Sequence, residues 1–307
     1  MSTATCSYCS GKAVYVREHE GVAFCSSCFR DAVEERFRRT IIKHHMLEFD
    51  DHIAVAVSGG KDSLTLLHLL TKLEERFPRT RLTAVSVDEG IDGYRDEALD
   101  LARNACNNLG VQQLVVSYHE LFGTTTDDIA RLNLTQTPCA YCGVFRRKAI
   151  NKAAAMVGAT KIATAHNLDD EVQTVLLNML HGDPLRIARS GPVLKDPRGR
   201  FLPRIKPLCD IPEKEVVLFA YLTGIQFQSI ACPHGHEALR NDVRSFLNQM
   251  EIKHPGTKFT LLRSMEKLRT QMSSDVPLAE LYECVKCGDP TPHELCEACV
   301  MLEAIAG

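Results

Sequence analysis

The sequence predicts an α/β protein: a parallel sheet covered by helices on both faces, with one small cysteine-rich module at each end. Three observations carry this. Apolar runs rich in Val, Ile and Ala alternate with amphipathic stretches through the middle of the chain, the pattern of strands buried on both faces. One such run, Ile53 to Val57, leads straight into Ser58-Gly59-Gly60-Lys61-Asp62-Ser63. Eight of the thirteen cysteines form four CxxC pairs, two pairs near each end.

The bulk numbers agree. A chain of 307 residues allows one large domain with appendages, or two domains. Hydrophobic content of 45% and charged content of 24% supply a full core and an ordinary surface. A net charge of −3 excludes a uniformly basic nucleic-acid coat, so any RNA contact rests on local patches. No apolar run approaches the roughly 18 residues that span a bilayer. Met1 to Tyr8 lacks a charged start followed by an apolar stretch, so a cytoplasmic protein without a secretory signal is expected. In that compartment cysteines more often bind metal or do chemistry than form disulfides.

The elements follow in order. Residues 1–28 read as a zinc ribbon: Cys6 and Cys9 are separated by fifteen residues from Cys25 and Cys28, and each CxxC is a knuckle presenting two thiolates to one tetrahedral ion. The other reading is a pair of surface disulfides. Ala13–Val16 and Val22–Phe24 are two short strands between the pairs. Residues 29–50 are a basic linker helix, from Phe29 to about Leu47, with Val33, Phe37, Ile41 and Ile42 at helical spacing. Its other face carries Arg30, Arg36, Arg38, Arg39 and Lys43, either solvated or set against RNA phosphates.

Residues 51–230 form the main domain. Strands are expected at 53–57, 82–87, 114–116 and 161–164, and helices at 61–76, 94–109, 143–157, 168–180 and 212–224. In such sheets ligands lie beyond the carboxyl ends of the strands. Residues 186–206 hold seven basic residues, among them Arg186, Arg189 and Arg204, and one acid, Asp196, with frequent Gly and Pro; they read as a basic loop. Residues 231–275 are a helical, RNA-binding extension, with helices at 237–252 and 255–272 and a linker at Ser273, Ser274 and Pro277. Residues 280–302 are a second zinc ribbon, pairing Cys284 and Cys287 with Cys296 and Cys299 across eight residues.

The loop after the first central strand is the most specific catalytic signal. Two glycines let backbone approach a phosphate without Cβ clashes. The following helix turns its N-terminal amides and dipole toward the anion. Ser58 and Ser63 add hydroxyls, Lys61 a point charge, and Asp62 either a Mg²⁺ ligand or a helix cap. Neither GxxxxGK[ST] nor GxGxxG is present. The stretch from about 51 to 230 resembles the PP-loop ATP pyrophosphatase superfamily, whose SGGxDS loop binds the leaving pyrophosphate of ATP and whose members adenylate a carbonyl oxygen.

A second centre is built from Pro138-Cys139-Ala140-Tyr141-Cys142-Gly143, placed just before a helix, and Cys232-Pro233 ninety residues later. A cysteine at a helix N-terminus has a lowered thiolate pKa, and three thiolates near a nucleotide suit sulfur chemistry. A third structural zinc site or unreactive buried cysteines are the other readings. Cys106 and Cys209 have no paired partner and read as core cysteines.

These segments, with Ala165-His166-Asn167-Leu168-Asp169-Asp170-Glu171, stand in an order that resembles the TtcA/TtuA group of tRNA 2-thiolation enzymes. The ribbons at both ends, Cys139-Ala140-Tyr141-Cys142-Gly143-Val144-Phe145-Arg146-Arg147 and Asp88-Glu89-Gly90-Ile91-Asp92-Gly93-Tyr94-Arg95 look closest to the archaeal and eukaryotic cytoplasmic members. Ala165 departs from the glycine usual there.

The resemblance implies a tRNA-uridine 2-sulfurtransferase. ATP with Mg²⁺ would sit on Ala56, Val57, Ser58, Gly59, Gly60, Lys61, Asp62 and Ser63, flanked by Val87, Asp88, Ala165, Asp169 and Asp170. Cys139, Cys142 and Cys232 would hold a [4Fe–4S] cluster, or a persulfide and its resolving cysteine. Lys61 would stabilise phosphate charge, and Asp170 would serve proton transfer or metal binding. Arg38, Arg39, Arg146, Arg147, Arg186, Arg189 and Arg204 are the candidate tRNA contacts. The resemblance also implies two zinc ions, a homodimer, a ubiquitin-like sulfur carrier and a wobble uridine, with the T-loop uridine as alternative. The competing classes are another PP-loop ligase, which would not need the three cysteines, and a zinc-ribbon RNA scaffold with a vestigial nucleotide site.

Overall fold

The computed structural model describes residues 4–74, 79–132, 134–196, 198–235, 238–272 and 280–306. The linker expected at Ser273, Ser274 and Pro277, the end of the helix expected to reach residue 76, and the chain's first three residues lie outside these.

The N-terminal unit is an antiparallel hairpin of β1 (Tyr15–Arg17) and β2 (Val22–Phe24), followed by helix α1 (Ser26–Lys43). The main domain then runs β3 (His52–Ala56), α2 (Lys61–Glu74), β4 (Arg81–Asp88), α3 (Arg95–Leu109), β5 (Gln112–Ser117), α4 (Tyr118–Phe122), α5 (Thr126–Arg131), α6 (Pro138–Met156), β6 (Lys161–Ala163) and α7 (Leu168–Leu180). It continues through α8 (Pro184–Ala188), β7 (Val193–Leu194), β8 (Arg204–Ile205), α9 (Glu213–Thr223), α10 (Ala238–Lys253) and α11 (Thr257–Met272). The C-terminal unit is β9 (Tyr282–Glu283), β10 (Pro290–Thr291) and α12 (Glu297–Ala306).

The sheet order is β5-β4-β3-β6-β8-β7, parallel except for the edge strand β7. The chain starts at β3, builds outward through β4 and β5, then returns to place β6 on β3's other side. The crevice beyond the carboxyl ends of β3 and β6 is therefore the topological switch point, where open α/β sheets bind ligands.

β3 is buried on both faces because successive side chains alternate. Ile53 and Val55 join one core layer with Leu64, Leu66, Leu67 and Leu70 of α2 and Phe219 of α9. Ala54 joins the opposite layer with Phe145, Ala149 and Ala153 of α6. The small side chains of α6 let that helix lie close to the sheet.

Both terminal units are packed into these layers. Phe24 and the α1 stripe of Phe29, Val33, Phe37 and Ile41 belong to the first, so α1 is an integral wall where the sequence suggested a connecting helix. Ala298 and Met301 of α12 belong to the second. Two observations correct the sequence reading. Residues 186–206, expected as loop, contribute β7 and β8 to the sheet. Helix α6 starts at Pro138, with both cysteines inside it, because proline suits a first helical position whose N–H has no intrahelical partner.

Candidate active site

The phosphate loop is shaped by internal hydrogen bonds. Val57 N–H donates to Val85 O at 2.8 Å, prolonging the β3–β4 ladder, before the chain turns through Gly59 at φ +87°. A Cβ on Gly59 would stand 2.1 Å from Ala98 O of α3, so only glycine fits. Ser63 Oγ accepts from Ser58 N–H at 3.1 Å and donates to Gly60 O at 3.0 Å, while Ser58 Oγ lies 3.1 Å from it. Both serines thus hold the loop's curvature. Gln228 braces it from outside, donating from its backbone to Gly59 O at 3.1 Å and from Nε2 to Tyr94 O at 2.6 Å.

A charged cluster faces this loop. Lys61 Nζ lies 2.9 Å from Asp62 Oδ2 and 2.8 Å from Glu213 Oε1. Desolvation lowers the lysine's pKa, but the two carboxylates outweigh it and hold it above its ordinary value. Asp62 Oδ1 accepts from Asn167 Nδ2 at 3.0 Å, and Asn167 shares a capping box with Asp170 at the start of α7. Burial, with the charges of Asp62 and Glu213 nearby, pushes Asp170 up to about 6 against the hydrogen bond from Asn167. Three carboxylates and a lysine at a sheet switch point are hard oxygen donors and a counter-charge, the chemistry that takes Mg²⁺ with a polyphosphate.

Neighbouring residues divide sharply in role. The Asp169 carboxylate turns away from the crevice, ion-paired with Lys258 and accepting Glu213 N–H at 2.8 Å, so it clamps α7 to α9 and α11. Asp88 Oδ1 caps the next turn through Gly90 N–H at 2.9 Å. The Ala165 methyl packs against the core layer of Ile53 and Val55, which explains its tolerance where a glycine was expected. His166 opens on the crevice with Nδ1 3.0 Å from Thr164 Oγ1. Surrounding protein and the cations Lys206, Arg204 and Arg240 push its pKa down to about 4, so it is neutral at pH 7.

The three cysteines converge from two segments. Cys139 and Cys142 lie at the start of α6; the Cys139 thiol donates to His234 O at 2.9 Å. Cys142 is buried, with Arg146 Nη2 3.0 Å and Tyr118 Oη 3.5 Å from its sulfur. Cys232 opens a tight turn closed by Gly235 N–H to Cys232 O at 3.0 Å, anchored by His234 Nε2 at 2.7 Å from Asp127 Oδ1. Burial and the nearby Cys142 and Cys139 sulfurs raise the pKa of Cys232, against a backbone hydrogen bond from His234.

Metal geometry separates this centre from the ends of the chain. Among the described residues, Cys6, Cys9, Cys25 and Cys28 gather with all sulfurs within 4.8 Å of one another, as do Cys284, Cys287, Cys296 and Cys299. Cys9 and Cys25 sulfurs are 3.4 Å apart and Cys287 and Cys296 sulfurs 3.6 Å. A tetrahedral zinc with bonds of about 2.3 Å needs roughly 3.8 Å, so both quartets fit that ion closely. Cys139, Cys142 and Cys232 do not gather so tightly. Three thiolates are the donor set that an iron–sulfur cluster takes.

Each terminal unit is tied to the domain by a buried charge. Glu215 of α9, fully buried, accepts from Arg17 Nε at 2.9 Å, Arg17 Nη2 at 2.7 Å and Tyr15 Oη at 3.2 Å. Lys148 of α6, also buried, reaches Cys287 Sγ at 3.0 Å, Cys296 Sγ at 3.6 Å and the Asp289 carboxylate.

The arginines proposed for RNA are scattered. Arg38 and Arg39 both bond Glu35, and Arg186 lies 3.0 Å from Asp183, all within one helical turn. Such exposed pairs exchange readily for phosphate. Arg189 caps α8. Arg204 donates to Asn151 Oδ1 at 2.7 Å and to Arg147 O at 3.2 Å, which places Arg147 and Arg204 side by side on the α6 surface. Sequence reasoning missed Glu213 and Gln228, and it gave no individual role to Asn167, Glu89 or Arg95, which lie in the motif segments 165–171 and 88–95. Arg95 Nη1 donates to Ser58 O at 2.6 Å, its Nε lies 2.7 Å from Glu89 Oε2, and Arg146 Nε lies 2.8 Å from Glu89 Oε1.

Comparison with known proteins agrees with this geometry. The family model of the PP-loop domain matches residues 31–251. The chain is 35% identical to the tRNA 2-thiolation protein NcsA of Haloferax volcanii, over 98% of each chain. The chain belongs to the PP-loop tRNA 2-thiolation family. It is also 37% identical to cytoplasmic tRNA 2-thiolation protein 1 of Chlamydomonas reinhardtii, over 99% of this chain and 86% of that protein. A solved structure, the U34-tRNA thiolase NcsA from Methanococcus maripaludis with its [4Fe-4S] cluster, superposes with a TM-score of 0.85 at 33% identity, covering 98% of this chain and 96% of that one. The fold expectation, a mostly parallel PP-loop sheet with a four-cysteine group near each end, is met. Among the described residues no helix is long and apolar enough to cross a membrane.

Proposed function

We propose that this protein is an ATP-dependent tRNA sulfurtransferase that replaces the C2 oxygen of the wobble uridine by sulfur. The observation that carries the reading is the juxtaposition of a phosphate loop and a three-cysteine centre, bridged by Arg95, Glu89 and Arg146. The wobble position is supported by the solved relative, whose name assigns it that uridine.

In the first step the uridine C2 oxygen attacks the α-phosphorus of ATP. The bond from that phosphorus to the β-bridging oxygen breaks and pyrophosphate leaves, while the N3 proton is released. Loop amides at Gly59 to Lys61 and the Lys61 ammonium stabilise the charge gathering on the leaving phosphates. Asp62 would hold Mg²⁺, which would supply charge to the leaving phosphates, and Asp170, raised toward neutrality, would take the N3 proton. In the second step hydrosulfide attacks C2. The C2–O bond breaks, AMP leaves with the oxygen and the electron pair, and the hydrosulfide proton restores N3–H.

Cys139, Cys142 and Cys232 would hold a [4Fe–4S] cluster, which, with one iron free of protein ligands, supplies a place to bind hydrosulfide. The chain's own contribution is the orientation of the sulfurs by His234 and Arg146. Two zinc ions would close the terminal quartets and hold them folded. Arg147 and Arg204, with the exchangeable Arg38, Arg39 and Arg186, Arg189 beside α8, and helices α10 and α11, would bind the tRNA backbone. The reading includes a homodimer, a ubiquitin-like sulfur carrier and a cytoplasmic location, which follow from family resemblance.

The test is anaerobic thiolation of unmodified tRNA by purified protein with ATP and sulfide. Lys61→Ala is expected to stop pyrophosphate release and leave iron content unchanged; Cys139→Ser is expected to stop 2-thiouridine formation. Normal 2-thiouridine from Cys139→Ser would remove the cysteine centre from the reaction and return the chain to the ligase class.

A further inference from the structure

The two halves of the site are joined by a continuous polar bridge, buried at Arg95 and Glu89 and half-exposed at Arg146. It begins at the phosphate loop, where Arg95 Nη1 donates to Ser58 O at 2.6 Å and Arg95 Nε donates to Val87 O at 2.8 Å. Both Arg95 and Glu89 are 4% exposed. Glu89 uses its two oxygens separately: Oε2 lies 2.7 Å from Arg95 Nε and Oε1 accepts from Arg146 Nε at 2.8 Å. Arg146 then donates from Nη2 to Cys142 Sγ at 3.0 Å. The Glu89 backbone is fixed as well, its carbonyl accepting Thr126 N–H at 2.8 Å.

A buried carboxylate is costly unless paired, and this one is paired twice with guanidiniums anchored at opposite ends. Its position is set by both, and it sets the span between them. The proposed reaction needs that span: the carbon activated over the loop must be met by sulfur from the cysteine centre before water reaches it. We propose that Glu89 is a positioning residue that fixes the phosphate loop and the cysteine centre in register and so couples adenylation to sulfur transfer. This rests on the function proposed above and assigns a role to a residue outside both the loop and the cysteines.

Glu89→Gln tests it. Arg95 Nε–H is donated to Val87 O, so Arg95 meets Glu89 as an ion pair while Arg146 donates to it, and the neutral carboxamide removes the charge that holds the two cations to one group. Arg95 keeps Ser58 O and Val87 O, so the loop holds and Arg146 is the group released. ATP affinity of cluster-free Glu89→Gln is therefore expected within about threefold of the parent, with unchanged iron and sulfide after reconstitution. Thiolation should fall by about 10- to 100-fold, the effect of misplacing reacting groups by roughly 1 Å. Pyrophosphate released per 2-thiouridine should rise in proportion, a ratio that simple loss of folded protein leaves constant.

Arg146→Lys, at a half-exposed side chain that keeps its charge but cannot bridge Glu89 and Cys142 in the same way, should show the same uncoupling. It decides the matter if Glu89→Gln does not fold. A parent-like ratio, or equal falls in pyrophosphate and 2-thiouridine, would overturn the inference. Parent protein that makes no 2-thiouridine would instead overturn the function on which it rests.

Discussion

Removing Glu215 should loosen the N-terminal ribbon from the domain. The carboxylate is fully buried and holds Arg17, whose side chain is 5% exposed, through two bonds, with Tyr15 on the same oxygen as Arg17 Nε. In Glu215→Leu the guanidinium keeps Glu20, at 2.9 Å and partly exposed, and the face of the Phe24 ring at 4.9 Å. Breaking one side of a buried pair costs about 3–5 kcal/mol; the retained Glu20 contact places the expectation near the lower end, about 3 kcal/mol. Phe24, Phe29 and Val33 share a core layer with the sheet, so the loss should appear as one cooperative shift in urea denaturation. Arg17→Met combined with Glu215→Leu removes both charges and should recover most of the loss, because the orphaned cation is gone. The reasoning is refuted if the single substitution costs under about 1 kcal/mol, or if the double variant loses the sum of the two singles.

Other expectations follow from the site. Asp170 carries a pKa of about 6, above that of an unfolded aspartate, so the folded state favours its protonated form; the stability this gives is complete below the unfolded value and lost as pH rises through 6. Asp170→Asn should therefore raise the melting temperature at pH 7 without Mg²⁺, yet abolish adenylation; a lower melting temperature would contradict the assignment. In the parent, adenylation should climb between about pH 5 and 7 as the carboxylate ionises, and a flat profile would exclude it as base or ligand. Gly59→Ala places a methyl against Ala98 O and demands a left-handed backbone, so ATP affinity should fall at least tenfold by calorimetry. Parent-like affinity would mean that the loop is not the nucleotide site.

Much of the fold is legible along the chain. Leu168 to Leu180 is helical over the expected residues, because a capping box precedes a regular apolar stripe. Val22 to Phe24 is likewise the expected strand. The phosphate loop is legible because strand, glycines and helix are contiguous, and the ribbons because four like ligands repeat at set spacing. Features set by distant partners are not. Whether Asp169 or Asp170 faces the nucleotide depends on a lysine and a backbone amide 89 and 44 residues away. The two-residue strands β7 and β8 are too short to show periodicity. The ion pairs that Glu20, Glu35 and Glu266 make with Arg36, Arg38, Arg39 and Lys43 of α1 were not legible either, because two of those acids lie outside the helix. Glu89 was in view but its meaning was not, since the bridge joins residues 58, 95 and 146 only in three dimensions.

The central claim is that Cys139, Cys142 and Cys232 form a sulfur-handling metal centre distinct from the two terminal quartets. The most direct measurement is the iron, acid-labile sulfide and zinc content of anaerobically purified protein beside a variant with all three cysteines replaced by serine. The account predicts iron and sulfide in a ratio near one in the parent, both absent from the variant, with about two zinc ions per chain in each, the zinc held by four thiolates as in closed structural sites. Zinc alone in both proteins after attempted cluster reconstitution, or zinc lost along with the three cysteines, would contradict it.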